Sequence, residues 1–317
     1  MRKIILMLLI LISIPFFVVN FYKENSYKEE IIKLKYISSI IVRVKRVNKN
    51  RIDNVMLEDY VVGVVAGEMP VSFEMEALKA QAVASRSYVL RKINDNINND
   101  YDVVDTTSNQ VYLDLDDLKD NWGNDYVNYL NRVREAVNDT SMEYLEYDGE
   151  VINAMFFSTS NGYTEDCVSV FSSDVPYLRS VESSWDSSVN SNFSYRKEID
   201  LKSFYEKLGL EYNNKLNILI LERSNSNRVI SLRINGVKFS GRDIYNKLGI
   251  RSTDFSIDQD GDKVVIITKG YGHGVGMSQY GAYGMAKEGY SYKEILDHYY
   301  KGTKLKKINF WCIKFLF

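Results

Sequence analysis

The sequence predicts an α+β fold in which mixed helices and antiparallel hairpins surround a cleft, preceded by one N-terminal transmembrane helix. Segments with helical and strand-like periodicity alternate along the chain, but regular βαβ units do not occur. The Asp148-Gly149 pair is a strong two-residue turn signal between two strand-like runs, which indicates a hairpin. An uncharged run from Ile4 to Tyr22 follows Arg2 and Lys3, which is typical of a membrane-spanning segment.

The N-terminal run is expected to be an uncleaved anchor formed by residues 1–22. As a helix it would reach about 28 Å, which is close to the thickness of a bilayer core. It ends in bulky residues rather than in the small residues of a cleavage site, although a cleaved signal with an atypical site is the alternative. Because positive charges precede the run, we expect the protein to cross the cell membrane once, with its body outside the cytoplasm. Residues 23–37 are polar and are expected to form a stalk.

The first elements after the stalk follow from local patterns. Alternating apolar residues predict a strand over 38–47, and a nearly uncharged run predicts a short helix over 57–67. Met69-Pro70 ends this helix, because proline disfavours helical geometry in the residue before it. Glu68 is therefore expected at a helix end or in the turn that follows.

The second helix is predicted to run from Glu74 to about Ile93, with Ser72 as its N-cap. Arg86 lies on an apolar stripe of this helix, where a guanidinium usually has a carboxylate partner or a ligand. A snorkelling surface arginine is the alternative. Later elements follow from similar patterns: loops over 94–110 and 182–195, helices over 122–138, 201–208, 241–248 and 291–299, a hairpin over 144–157, and strands over 216–221, 229–234 and 264–268.

The composition, the net charge and the glycine spacing argue against several classes of protein. The 317 residues are 45% apolar and 26% charged, which is an ordinary globular composition. A formal net charge of −2 argues against a nucleic-acid partner, which would need a basic face. Seven glycines between Gly270 and Gly289 match neither common nucleotide-binding pattern, so nucleotide binding is not expected. The sequence leaves open whether its two cysteines, Cys167 and Cys312, pair with each other.

Glu68 is the candidate catalytic residue. It follows an almost uncharged run, and apolar surroundings raise the pKa of a carboxyl because they disfavour its ionised form. A carboxyl that stays protonated near neutral pH can act as a general acid. A helix-capping or salt-bridged glutamate is the structural alternative.

Four sequence blocks resemble those of the stage II sporulation protein D (SpoIID/LytB) family. The blocks are residues 57–88, 156–165, 176–181 and 270–286. The resemblance implies that residues 38–305 form a catalytic domain with a substrate cleft, and that Glu68 is the acid of a lytic transglycosylase. Such an enzyme cuts MurNAc–GlcNAc bonds of peptidoglycan and leaves a 1,6-anhydroMurNAc end. Residues 306–317 form an apolar tail that matches no block.

The resemblance also implies which residues line the cleft. Three of them match family positions on the helix after Glu68, and others supply hydroxyl and amide groups that could bind sugars, although an ordinary Ser/Asn turn is the alternative. His273 either forms a hydrogen-bonding wall near Glu68 or braces the glycine-rich loop. The predicted substrate-binding residues are Lys79, Arg86, Tyr88, Ser158, Ser160, Asn161, Tyr163, Thr164, His273, Ser278 and Gln279.

Neither a metal ion nor another cofactor is expected. Some members of the resembled family hold zinc with Cys and His residues in a loop that corresponds here to residues 102–109, but this loop has no thiol and no imidazole. The expected partners are peptidoglycan glycan strands and the membrane. The resemblance further implies glycan stripped of its stem peptides, a complex with a sporulation amidase and a third membrane protein, and a role in engulfment of the forespore by the mother-cell membrane.

Two other functions are alternatives. A non-catalytic glycan-binding or scaffold protein would use the same cleft without turnover, but the presence of Glu68 favours the enzyme. A modifier of a cell-wall hydrolase, as the LytB branch suggests, is the second alternative. A zinc amidase would need several histidine and acidic ligands, and the chain has two isolated histidines, His273 and His298.

Overall fold

The computed structural model describes residues 30–35 and 39–308. The expected anchor over 1–22 lies outside these residues, as do most of the stalk and residues 309–317 of the tail. Within the described residues, no helix combines the length and the apolar character that crossing a bilayer requires.

Helices and mostly antiparallel sheets are interspersed along the described residues, which confirms the α+β prediction. The helices are α1 (Leu57–Glu68), α2 (Met75–Asp95), α3 (Leu115–Trp122), α4 (Tyr126–Asp139), α5 (Cys167–Phe171), α6 (Trp185–Val189), α7 (Leu201–Leu208), α8 (Gly241–Leu248), α9 (Gln279–Lys287) and α10 (Tyr292–Tyr299), with a 3-10 turn over Gly123–Asp125.

The strands form several small sheets rather than one large one. They are β1 (Ile41–Arg46), β2 (Arg51–Met56), β3 (Val103–Val104), β4 (Glu143–Tyr147), β5 (Glu150–Val151), β6 (Phe156–Phe157), β7 (Ser194–Asp200), β8 (Ile218–Arg223), β9 (Val229–Ile234), β10 (Val237–Ser240), β11 (Phe255–Asp260), β12 (Lys263–Lys269), β13 (Met277–Ser278) and β14 (Lys304–Lys307). The strand orders are β2-β1-β3, β10-β9-β8, β11-β12-β7, β13-β6 and β14-β4-β5. The β1-β3 and β6-β13 pairs are parallel, and the other pairs are antiparallel.

The larger hydrophobic core has α2 at its centre. This helix packs against α1, α4, α9 and α10, and small residues such as Ala77 and Ala80 allow its neighbours to approach closely. The apolar run of α1 is buried from Tyr60 to Val65, which explains why this segment carries so few charges. Cys167 lies in this core, whereas its possible partner Cys312 lies outside the described residues.

A second hydrophobic core lies within residues 194–269. Helix α7 packs on β7 and β12 of the β11-β12-β7 sheet, and α8 packs on β9 and β10 of the β10-β9-β8 sheet. Phe204, Leu232 and Ile266 are among the buried residues of this core. The two helices end at Gly209 and Gly249, which adopt the left-handed conformation that favours glycine. The sequence predicts both helices and parts of three strands here, but not that they enclose a core of their own.

Several predicted helix boundaries were wrong. Helix α2 begins at Met75, and Ser72 is not its N-cap, because Glu74 occupies that position without a side-chain cap. The helix predicted over 122–138 begins at Tyr126, and α3 before it was not predicted.

The predicted hairpin is confirmed only in its first part. Strands β4 and β5 turn at Asp148 and Gly149, whose φ angles of 51° and 84° suit a turn of this kind. Strand β6 leaves the hairpin and pairs with β13 instead. The predicted loop over 94–110 contains β3, and that over 182–195 contains α6 and the start of β7.

Candidate functional site

Glu68 is the last residue of α1, as the sequence predicts. Met69 is extended (φ −125°, ψ 134°), and its N–H donates to Val65 O to close the last turn. The side chain of Glu68 is partly exposed. The carboxyl is therefore neither sealed in the core nor freely solvated.

Two glycines of α1 bring a neighbouring segment against this carboxyl. Gly63 and Gly67 are four residues apart and share one helix face. A Cβ on Gly67 would lie 2.8 Å from Val111 O, and one on Gly63 would overlap Leu113 O. Because both positions lack a Cβ, the main chain of residues 111–113 lies directly on the helix, and Val111 N–H donates to Glu68 Oε1 at 2.6 Å.

The surroundings of Glu68 favour a protonated carboxyl. Burial raises its pKa above the ordinary value of 4.5, and hydrogen bonding from Val111 and Gln279 offsets part of that increase. Within the part of the chain that the structure describes, no second carboxylate is among the groups that shift this pKa. The carboxyl thus keeps its proton to a higher pH than a solvated glutamate, which suits a general acid.

A buried polar layer on α2 lies next to this turn. Gln81, Ser85 and Tyr88 share one helix face, and Gln81 Nε2 donates to Ser85 Oγ at 3.0 Å. Gln279 Nε2 lies 3.5 Å from Gln81 Oε1 and donates to the main-chain oxygen of Glu68 at 3.0 Å. Burial raises the pKa of Tyr88, the hydrogen bond from Asn109 offsets part of this increase, and the charges of Asp95 and Glu68 add to it.

The segment around Ser158 adjoins Gln279 through the glycine-rich block. Phe157 of β6 pairs with Ser278 of β13, and Tyr280 N–H donates to Ser158 O at 3.0 Å. Gln279 lies between these contacts and reaches Glu68. The blocks over 57–88, 156–165 and 270–286 therefore meet at one place in the fold.

Ser160 and Ser278, which were predicted to bind substrate, are instead fully buried around Asp186. The Asp186 carboxylate accepts Ser160 N–H at 2.8 Å and the hydroxyls of Ser278, Ser160 and Ser183 at 2.5, 2.9 and 2.7 Å. Burial raises the pKa of Asp186, and these hydrogen bonds offset part of the increase. The two predicted serines therefore hold the blocks together and do not face a ligand.

Thr164 and Asn161 also serve the fold. Thr164 is fully buried, and its Oγ1 donates to Arg179 O at 3.2 Å, so the prediction that it binds substrate is wrong. Asn161 Nδ2 donates to Ser226 O at 2.6 Å and to Asp254 Oδ2 at 2.8 Å. Its amide nitrogen is thereby engaged by residues of the 194–269 region, whereas its buried Oδ1 has no hydrogen-bond partner among the described residues.

Arg86 and Lys79 are not placed to meet a glycan. Arg86 is completely buried, and its Nε and Nη2 donate to the two carboxylate oxygens of Glu58 at 2.9 and 2.7 Å. This confirms the expected carboxylate partner, but it contradicts a role for Arg86 in the cleft. Lys79 Nζ pairs with Glu76 at 2.9 Å and with Asp139 at 3.1 Å, against α4.

His273 braces the glycine-rich segment, which is one of its two predicted roles. Its ring packs on Phe157 and Phe171, with centroid distances of 5.7 Å, and its Nδ1 accepts Val275 N–H at 3.1 Å. Burial lowers its pKa to about 4, so the imidazole is neutral at pH 7.

The remaining predicted residues differ in access to solvent. Tyr163 is 50% exposed and Ser158 is partly exposed, so both can meet a ligand. Tyr88 and Gln279 are buried, and Tyr88 OH accepts Asn109 Nδ2–H at 2.9 Å. Because these two side chains are buried, they can affect Glu68 through contacts inside the protein rather than contact a long substrate.

Sequence reasoning missed three contributors to this site. Val111 contributes its main-chain N–H to Glu68, and the identity of its side chain does not indicate this contact. Gln110 accepts a hydrogen bond from Tyr60 OH at 3.1 Å, in a stretch predicted to be a loop. Asp186 also lies in a predicted loop, so nothing indicated its burial. The four-residue glycine spacing in α1 was the available signal for close approach of another segment.

Metal ligands are not assembled in the described residues, where no group of three or more His, Cys, Asp and Glu side chains could hold an ion. In the loop over 102–109, Asp102 pairs with Arg43 at 2.5 Å and Asp105 with Arg46 at 2.9 Å. Arginines therefore already neutralise these carboxylates. The absence of zinc stays a prediction.

Comparison with known proteins identifies the relatives of this chain. A family model for stage II sporulation protein, SpoIID, matches residues 45–147. Stage II sporulation protein D of Bacillus amyloliquefaciens is 41% identical over 284 residues, which cover 88% of this chain and 82% of that protein. The chain belongs to the stage II sporulation protein D family. The corresponding protein of Bacillus subtilis (strain 168) is 39% identical with the same coverage.

A second kind of relative shares part of its length with this SpoIID-family chain. The amidase enhancer of Bacillus subtilis (strain 168) is 30% identical over 297 residues, which cover 77% of this chain but 40% of that protein. The family model reaches Glu68 and Val111 and ends before Gln279, whereas the alignments to the two sporulation proteins cover most of the chain. Membership of the SpoIID family confirms the resemblance seen in the sequence.

Proposed function

We propose that this SpoIID-family protein is a lytic transglycosylase that cleaves MurNAc–GlcNAc bonds of peptidoglycan glycan strands. The observation that carries the proposal is the placement of Glu68. It is a partly exposed carboxyl with a raised pKa, at a helix end where three separate sequence blocks meet. Family membership supports a cell-wall role in sporulation.

In the proposed reaction, Glu68 first acts as a general acid. Its carboxyl gives a proton to the oxygen that bridges MurNAc and GlcNAc, and the bond from that oxygen to C1 of MurNAc breaks. The resulting carboxylate then takes the proton of the MurNAc 6-hydroxyl, whose oxygen bonds to C1. The products are a 1,6-anhydroMurNAc end and a free GlcNAc hydroxyl, and Glu68 regains its proton. Water is not consumed.

A single reacting carboxyl fits this reaction better than it fits ordinary hydrolysis. Most glycosidases use two carboxyl groups about 5 to 10 Å apart, one as acid and one as nucleophile or base. Among the described residues, the groups whose hydrogen bonds shift the pKa of Glu68 are Val111 N–H and Gln279, and neither is a carboxylate. One group that donates and then recovers the same proton needs no such partner.

The cellular setting belongs to the same proposal. We propose that the chain is anchored once in the mother-cell membrane with its catalytic domain outside the cytoplasm, and that it acts in forespore engulfment. Its substrate would be glycan stripped of stem peptides by a partner amidase, in a complex that includes a third membrane protein. A relative named amidase enhancer supports a connection with amidases.

Mass spectrometry of the products from stem-peptide-free glycan tests the activity. We expect fragments that end in 1,6-anhydroMurNAc, each lighter by one water than the hydrolytic product. Reducing ends would indicate a hydrolase. An intact glycan that is nevertheless bound would indicate a wall-binding or scaffold protein, and either result would overturn the proposal.

A further inference from the structure

An arginine lies between two exposed tyrosines, one from β7 and one from the glycine-rich segment. The guanidinium carbon of Arg251 is 3.7 Å from the ring centroid of Tyr195 and 5.5 Å from that of Tyr271. The tyrosines are 38% and 50% exposed. Tyr195, Arg251 and Tyr271 are called the Arg251 platform below.

The guanidinium of Arg251 lacks an anionic partner within residues 30–35 and 39–308. It contacts the two tyrosine rings, and among these residues no carboxylate or other hydrogen-bond acceptor pairs with it. Two other arginines of residues 194–269 differ in this respect: Arg196 pairs with Glu198, and Arg223 pairs with Asp254. Contact with the rings orients the planar guanidinium while leaving its N–H groups free for a ligand.

The platform is joined to the segment that borders Glu68. Tyr271 N–H donates to Thr159 O at 2.7 Å, and Gly272 N–H donates to Arg251 O at 2.9 Å. Thr159 follows Ser158, whose carbonyl accepts Tyr280 N–H beside Gln279. These contacts connect the platform, through Thr159 and Ser158, to the block that holds Gln279 and adjoins Glu68.

The chemistry of the platform fits an acidic sugar. Tyrosine rings offer flat apolar surfaces on which the C–H faces of a saccharide ring can pack. A guanidinium binds a carboxylate through two parallel N–H···O bonds. In a glycan strand, the lactyl group of MurNAc ends in a carboxylate once its peptide has been removed, and in a neutral amide while the peptide is attached.

We propose that the Arg251 platform is a saccharide subsite that binds the free lactyl carboxylate of MurNAc. This inference rests on the proposed function, and it assigns the recognition of peptide-free glycan to two residues of the 194–269 region and one residue of the glycine-rich segment. Arg251 supplies the positive charge that pairs with the carboxylate. Tyr195 and Tyr271 supply the apolar ring surfaces on which the sugar packs. An amide in place of the carboxylate removes the negative charge and one acceptor oxygen.

Glycan binding by the full-length chain carrying Glu68→Gln tests this subsite, because binding is then measured without cleavage. The two probes are peptide-free glycan and the same glycan with its carboxylates converted to methylamides. We expect the methylamide form to bind about five- to tenfold more weakly, because it loses one accessible ion pair with good geometry. Adding Arg251→Gln should weaken binding of the carboxylate form by the same factor and abolish the difference between probes.

Arg196→Gln is the matched control, because it removes an exposed arginine from the same sheet region at a place outside the platform. It should retain the preference for the carboxylate form, whereas Tyr271→Ala should weaken binding of both forms. Equal binding of the two probes before any platform change, or a preference that survives Arg251→Gln, would overturn the subsite. The proposed function fails separately, if the chain with Glu68 intact yields no anhydro ends.

Discussion

Gln279 Nε2 donates a hydrogen bond to the main-chain oxygen of Glu68 at 3.0 Å, across 211 positions of sequence. This bond ties the end of α1 to the start of α9. It therefore holds the turn that carries the carboxyl to the block that also contacts the segment around Ser158. The position of Glu68 thus depends on all three blocks together, and the predictions below probe that arrangement.

Replacement of Glu68 by Gln should lower the rate of anhydro-end formation by about 10² to 10⁴-fold, the usual contribution of a general acid. The amide keeps the shape of the side chain but has no proton to give to the glycosidic oxygen. The measurement is product formation from peptide-free glycan at fixed protein concentration. A purified variant that forms product at the parent rate would refute the role of Glu68.

The same variant should be at least as stable as the parent at pH 7. Because burial raises the pKa of Glu68, the folded state retains a proton that the unfolded state has released between pH 4.5 and the raised value. The stability of the parent therefore falls as pH rises through that window, and Glu68→Gln lacks this loss. Denaturant unfolding of both proteins at pH 4 and pH 7 measures the difference, and a variant less stable at pH 7 alone would contradict the environment described for Glu68.

Gly67→Ala should alter the pH dependence of the reaction. The added Cβ would lie 2.8 Å from Val111 O and should push residues 111–113 away from α1. The Val111 N–H bond to Glu68 stabilises the ionised form, so weakening it should raise the pKa further. We expect the alkaline limb of the kcat/KM profile to move to higher pH. An unchanged profile would mean that the contact with Val111 does not influence the reacting carboxyl.

Much of the fold and the position of Glu68 at a helix end could be predicted from the sequence because their signals are local. The nearly uncharged run predicts the helix α1, Met69-Pro70 predicts its end, and Asp148-Gly149 predicts a turn. Each of these signals acts within a few residues, and the structure confirms the helix, its end and the turn. Where the glycine-rich block lies relative to Glu68 could not be predicted, because the contact between Gln279 and Glu68 joins segments that are 211 positions apart.

The errors share a physical cause, which is that polar side chains were assumed to face a ligand. Ser160 and Ser278 look accessible in a Ser/Gly-rich stretch, yet Asp186 draws them into the interior. Arg86 likewise satisfies Glu58. Which buried polar group finds which partner depends on tertiary packing, and a single sequence does not contain that information.

Arg86→Met should destabilise the protein by about 3 to 5 kcal/mol, because it leaves the buried carboxylate of Glu58 without its partner. The matched control is Arg91→Ala, which removes a partly exposed arginine from the same helix and should cost about 1 kcal/mol or less. Denaturant unfolding measures both. If Arg86→Met instead kept its stability and lost glycan binding, the residue would belong to the cleft after all.

Dialysis against a chelator should leave the melting temperature of the purified protein unchanged, and metal analysis should find less than one zinc per chain. The reason is that Asp102 and Asp105 already pair with Arg43 and Arg46, in a loop without thiol or imidazole. Arg46→Met should lower the melting temperature, since this nearly buried guanidinium also pairs with Asp114 and Asp117. A tightly held zinc whose removal unfolds the protein would contradict this view of the loop.

Gly276→Ala should destabilise the protein more than Gly289→Ala does, and only the first change should impair activity. Both glycines have positive φ, 81° and 91°, so both substitutions incur backbone strain of about 1 to 2 kcal/mol. A Cβ at Gly289 would meet open space, whereas one at Gly276 would overlap the carbonyl oxygen of Met155 and add about 1 to 3 kcal/mol. The overlap should displace β13 from β6 and move Gln279 away from Glu68. Unfolding free energies and rates of anhydro-end formation for the two variants measure this difference, and equal losses in both would show that the spacing between these strands does not position the acid.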